Sequence, residues 1–96
     1  MRVYIAGPMT GIEALNFPAF HREAVYLRSQ GHEVVNPAEI NPDPTAKCVD
    51  CIKELVGCDA VAMLPNWDKS KGARLEHYIA NALEIKIIYI NREVIA

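Results

Sequence analysis

Short apolar runs rich in Val, Ile, Tyr and Ala alternate with amphipathic stretches along this chain, and that order constrains the fold more than any single motif. Arg2 to Ala6 reads as a strand closed by Gly7-Pro8. After a loop through Gly11, Asn16 and Pro18 mark a helix start, Asn as the cap and Pro in the first turn, where its missing N–H costs little. The helix is expected to run to about Gln30 and stop at Gly31, with Phe17, Phe20, Ala24 and Leu27 as its apolar stripe. His32 to Asn36 is a second strand, and Pro37 to Thr45, with three prolines, an extended connection. A second helix follows, with the stripe Val49, Ile52, Leu55 and Val56 and an end at Gly57. Asp59 to Leu64 is continuously apolar after its first residue, as a strand buried on both faces should be. The loop from Pro65 to Lys71 leads into a third helix over about Gly72 to Glu84, and Lys86 to Asn91 is a last strand.

Strands alternating with helices, joined by right-handed crossovers, give an α/β fold. The expected architecture is a three-layer, doubly wound parallel sheet of four or five strands, flavodoxin/Rossmann-like. At 96 residues the chain supports one domain, spanning 1–96, with a small core. Ligands in such sheets sit at the carboxyl ends of the strands, which singles out the loops Gly7 to Gly11 and Pro65 to Gly72.

Charge narrows the partners. With 10 Lys and Arg against 12 Asp and Glu, the chain lacks the basic field that drives binding to polymeric nucleic acid or an anionic membrane. Its longest apolar stretch, Ala60 to Leu64, is far short of a membrane span, and the first residues carry no secretory pattern. Three cysteines, an odd number, fit reduced thiols and a cytoplasmic location. Cys48-x-x-Cys51 lacks the further ligands of a zinc site and lies inside a second helix rather than beside a first strand, so core packing is the expectation, with no metal and no cofactor.

The loop Gly7-Pro8-Met9-Thr10-Gly11 can bring backbone N–H groups and the Thr10 hydroxyl to a phosphate or sugar, but it matches neither the dinucleotide nor the P-loop pattern. The segment Asp68 to Gly72 ends at a helix N-terminus. Free N–H groups there favour an anion, Ser70 can cap the helix or bind a phosphate, and Lys69, Lys71 and Arg74 add positive charge. On the third helix Leu75, Ile79, Ala82 and Leu83 define the expected core face, with Glu76 half-buried at its edge and turned toward the ligand crevice. Trp67 is either a stacking surface for a planar ligand or a cover for the core. His21, His32 and His77 share no motif.

Taken together, Val3-Tyr4-Ile5-Ala6-Gly7-Pro8-Met9-Thr10-Gly11, Asn16-Phe17-Pro18-Ala19-Phe20, Gly31-His32-Glu33-Val34, Asn36-Pro37-Ala38-Glu39 and Trp67 to Glu76 resemble small nucleoside 2-deoxyribosyltransferase-like proteins of phage and prophage genomes. That superfamily includes nucleoside 2-deoxyribosyltransferases and 2′-deoxynucleoside 5′-monophosphate N-hydrolases. The resemblance implies cleavage or transfer at an N-glycosidic bond, with Glu76 as the nucleophile and Tyr4 orienting it by a hydrogen bond. It also implies that Ser70, six residues before Glu76, binds a 5′-phosphate, and that Gly7, Pro8, Met9, Thr10, Trp67 and Gly72 line the substrate site. The partner is then a small nucleotide or nucleoside, and a homodimer is expected, with Asn91 a donor across its interface. Where the superfamily carries an aspartate that handles the departing base, this chain has Cys51, with Asp50 adjacent. The alternatives are a module that binds a nucleotide without turnover and a domain with a structural role only.

Overall fold

Residues 1–9, 13–40 and 49–90 are described by the computed structural model. Its elements follow the order β1 (Arg2–Ala6), α1 (Phe17–Ser29), β2 (Glu33–Val35), α2 (Pro37–Ile40), α3 (Val49–Val56), β3 (Ala60–Met63), α4 (Lys71–Ala82) and β4 (Lys86–Tyr89). The four strands form one sheet in the order β2-β1-β3-β4. Every pairing is parallel: Val3 lies opposite Val34 and Ala60, and Met63 opposite Tyr89.

Alternation along β1 sends its side chains to two different layers. Val3 and Ile5 pack with Phe20, Ala24 and Leu27 of α1, while Tyr4 and Ala6 pack with Cys51 and Leu55 of α3 and with Ala73 and Ala80 of α4. The sheet is thus covered on both faces, and β3, Ala60–Met63, is buried along its whole length. This is the expected three-layer α/β arrangement, with four strands among the described residues.

Several local expectations are corrected. The segment after Asn36 begins as the helical turn α2, because the Asn36 side chain accepts from the Ala38 N–H at 3.0 Å and its carbonyl accepts from the Glu39 N–H at 2.9 Å. Asn is a strong cap and Pro37 at the first helical position loses nothing by lacking an N–H. Residues 41–48 lie outside the described residues. Asn16 precedes α1 but does not cap it through its side chain; its backbone is left-handed, at φ 60°, and its Nδ2 donates to the Pro8 carbonyl at 2.9 Å. That bond ties the start of α1 to the loop after β1. Val56, assigned to the buried stripe of α3, is 51% exposed, while Cys51 and Leu55 are fully buried.

The expectation of reduced cysteines is corrected at Cys51, which is disulfide-bonded. A cysteine count bears on the redox compartment, but bonding depends on which sulfurs the fold brings within reach. Cys58 is free and buried, its thiol against the Glu54 carbonyl at 3.3 Å. Cys48 lies outside the described residues.

The largest correction concerns α4. Leu75 and Leu83, expected in the core, are 53% and 55% exposed, whereas Ala73 and Ala80 are buried. Small side chains let the helix lie close to the sheet, so the alanine face packs and the leucine face turns outward. Around the helix axis Glu76 lies about 40° beyond Ala80 on the side away from Ala73, at the flank of the buried face that is turned toward β1, and it is half-buried as expected.

Candidate functional site

From β1 the chain crosses to β2 on one side, then returns past β1 to β3 on the other. The crevice above the carboxyl ends of β1 and β3 is therefore the switch point at which open α/β sheets take ligands. Gly7 ends β1 there, and a Cβ on it would come within 2.8 Å of the Leu64 Cβ and 2.9 Å of its Cδ1. Only glycine lets the two strand ends approach so closely. Pro8 is buried and Met9 partly buried beside it.

Beneath this crevice two residues far apart in sequence meet. Tyr4 points from β1 to the α4 side of the sheet and is fully buried. Its hydroxyl donates to Oε2 of Glu76, in the second turn of α4. Burial pushes the Glu76 carboxyl up to about 7, and the Tyr4 hydrogen bond pulls the other way by favouring the carboxylate. The Tyr4 phenol is driven far above its usual range, first by burial and then by the neighbouring Glu76 charge, so it remains a donor. A carboxylate that is half desolvated, oriented by one fixed donor and set at a crevice is chemically suited to attack an electrophilic carbon or to move a proton near neutral pH.

The loop after β3 supplies the second group. Ser70 is the N-cap of α4, and its Oγ accepts from the Ala73 N–H at 3.2 Å. Capping uses an acceptor lone pair and leaves the hydroxyl hydrogen to donate. Gly72 is exposed, with no atom within 4 Å of where a Cβ would stand. Lys69, Lys71 and Arg74 are all exposed near this helix start. The first turn of α4 therefore combines unpaired N–H groups, open backbone and positive charge, a combination that suits an anion.

Trp67, in a short turn before Ser70, stacks on His77 with ring centroids 4.2 Å apart and planes at 15°. His77 Nε2 and the Tyr89 hydroxyl are hydrogen-bonded at 2.8 Å. Around α4, Glu76 thus reaches β1 while His77 reaches β4, and the helix straddles β3 between them. The His77–Tyr89 pair was missed in the sequence because no motif joins the two. The available signal was strand alternation, which puts Tyr89 on the same face as Met63, its neighbour across the ladder.

Of the sequence candidates, then, Tyr4 and Glu76 are brought into contact, Gly7, Pro8 and Met9 rim the switch point, and Ser70 and Gly72 open α4. One face of the Trp67 ring is already covered by His77. Thr10 and Asn91 lie outside the described residues. Cys51, at the place of the superfamily aspartate, is buried and disulfide-bonded, which removes it as a proton donor. Among the described residues no three His, Cys, Asp or Glu side chains are grouped to hold a metal ion, and no helix is long and apolar enough to cross a membrane.

No curated protein matches the chain. A family model does, over residues 1–89, which include β1 with Tyr4 and α4 with Glu76. The chain belongs to the DUF4406 family, a domain of unknown function.

Proposed function

We propose that the crevice between β1 and β3 cleaves or transfers the N-glycosidic bond of a deoxynucleotide or nucleoside, with Glu76 as nucleophile. The observation that carries this reading is the Tyr4 hydroxyl fixed on the half-buried Glu76 carboxylate at the switch point. In the reaction a Glu76 oxygen bonds to the anomeric carbon as the carbon–nitrogen bond breaks and its electron pair leaves with the base. Water then releases the sugar in a hydrolase, or a second base does in a transferase. Ser70 and the first turn of α4 favour a substrate with a 5′-phosphate, the same reading that the resemblance to deoxyribosyltransferase-like proteins suggests.

The test is incubation with a panel of deoxynucleoside monophosphates and nucleosides while free base is measured. Base release that is lost in Glu76→Ala supports the reading; absence of release from every substrate, or equal release by the variant, refutes it. Adding a second free base separates transfer from hydrolysis.

A second reading is favoured by one observation, the burial and bonding of Cys51, which leaves the departing base without a proton donor at that position. Under it the crevice binds a nucleotide without turnover. A thermal shift with nucleotides in the absence of base release supports that alternative.

A further inference from the structure

Nothing large keys helix α4 to the sheet. Ala73 and Ala80 are its buried residues, while Leu75 and Tyr78 are exposed and Ile79 is only partly buried. Methyl groups let the helix lie close, but they project too little to interlock with the strands and fix its rotation. The rotation is set instead at the two flanks. Glu76 and His77 are consecutive, so their side chains leave the axis about 100° apart, with the alanine face between them. Glu76 takes the Tyr4 hydroxyl on the β1 side. His77 is held on the β4 side at two points: its ring face lies on Trp67, centroids 4.2 Å and planes 15° apart, and its Nε2 is hydrogen-bonded to the Tyr89 hydroxyl at 2.8 Å. Trp67 is itself seated against the cluster that contains Tyr4, Met63 and Ala73, and its carbonyl accepts the Ser70 N–H at 3.0 Å in the turn that enters α4.

A roll of α4 cannot move one flank without the other. Carrying Glu76 off Tyr4 requires His77 to leave Trp67 and Tyr89. We propose that His77, braced by Trp67 and Tyr89, is a positioning residue for Glu76: it fixes the roll of α4 and so keeps the carboxylate on the Tyr4 hydroxyl. Its ring lies on the flank of α4 away from β1, and it acts through the helix rather than on a substrate. Among the described residues, Tyr4 from β1 is the titratable group that acts on the Glu76 carboxyl, and His77 is not one of those that do. Cys58, before β3, acts on Tyr4, and α3 presents Cys51 and Leu55 to the same cluster, one disulfide-bonded and the other apolar. A change in the titration of Glu76 on altering His77 therefore reports the position of the helix rather than the loss of a neighbouring charge. The consequence for catalysis rests on the reading of Glu76 as nucleophile; the coupling of His77 to the Tyr4–Glu76 contact does not.

The test is a double-mutant cycle read on Glu76 itself. The carbon resonance of its side-chain carboxyl, assigned by its absence in Glu76→Gln, is titrated by NMR in wild type, Tyr4→Phe, His77→Ala and the double variant. In the wild-type background Tyr4→Phe raises the midpoint, since it removes the donor that favours the carboxylate. In the His77→Ala background the same substitution shifts the midpoint by less than about half as much, because the contact is already loosened. Tyr89→Phe removes one hydroxyl from a side chain that is 54% exposed, so it folds where His77→Ala does not, and it gives a smaller loss of coupling of the same sign. An equal Tyr4→Phe shift with and without these changes overturns the proposal, as does the absence of any shift in the wild-type background. Under the proposed function His77→Ala also lowers kcat for base release about tenfold or more with KM little changed. The titration needs no turnover. Lost coupling in a protein that releases no base refutes the nucleophile and leaves the positioning role standing, and unchanged coupling in a protein that releases base does the reverse.

Discussion

Glu76 ties stability and chemistry to the same proton. Its pKa rises on folding from 4.5 to about 7, so between these values the folded protein binds a proton that the unfolded chain releases. The associated stability is complete below the lower value and is lost as pH climbs through the upper one. Melting temperature should therefore fall from about pH 5 to about pH 8 in the wild type. Glu76→Gln should flatten this component and gain on the order of 2–3 kcal/mol at the higher pH, measured by chemical denaturation. Under the proposed function the same ionisation sets activity, which rises with pH toward a plateau above about 7. Tyr4→Phe removes the donor that favours the carboxylate, so the acid limb of the kcat profile moves to higher pH and kcat at neutral pH drops about tenfold or more. An unmoved limb would dissociate Tyr4 from the control of Glu76. The pair illustrates what a single sequence leaves invisible: its members are 72 positions apart, and no local rule joins a strand tyrosine to a helical glutamate. Only resemblance pointed to the contact. Gly7 was legible as punctuation, but its tight fit against Leu64 was not, since that depends on how β1 and β3 pair. Gly7→Ala should cost about 1–3 kcal/mol through that contact.

Helices α1 and α4 end in the same motif with different residues. In α1 the Gly31 N–H reaches the Arg28 carbonyl and the His32 N–H the Leu27 carbonyl, with Gly31 left-handed at φ 87°. In α4 Glu84 and Ile85 make the equivalent bonds to Asn81 and Ala80, but Glu84 must adopt φ 59° with a Cβ in place. Glycine is the residue this position prefers. Glu84→Gly should thus stabilise the fold by about 1 kcal/mol, measured by denaturant unfolding. At the other end of α4, Gly72→Ala meets open space and should raise helix stability by up to about 1 kcal/mol. If the helix start holds a phosphate, the same variant should lose affinity for monophosphates but not for nucleosides, read by calorimetry. The four strands and the three longer helices were legible because Gly31, Pro65 and the apolar run through Met63 each punctuate or extend in one direction only, whereas the short turn α2 was read as extended chain. The rotation of α4 was not, because Ala73 and Ala80 carry little hydrophobic weight beside Leu75 and Leu83. Periodicity ranks faces by hydrophobicity, whereas close packing on a sheet selects the face with the smallest side chains.

The molecule is small enough that its unused apolar face matters to its stability as a whole. A chain of 96 residues buries a modest fraction of its surface, and this one leaves Leu75, Tyr78, Leu83 and Val56 uncovered along one side. Two copies covering those residues would add to the folded state what the single core does not supply, and mass action then links melting to concentration. The melting temperature should rise as protein concentration is raised across the micromolar range, and Leu75→Glu should abolish the dependence while leaving a cooperative transition.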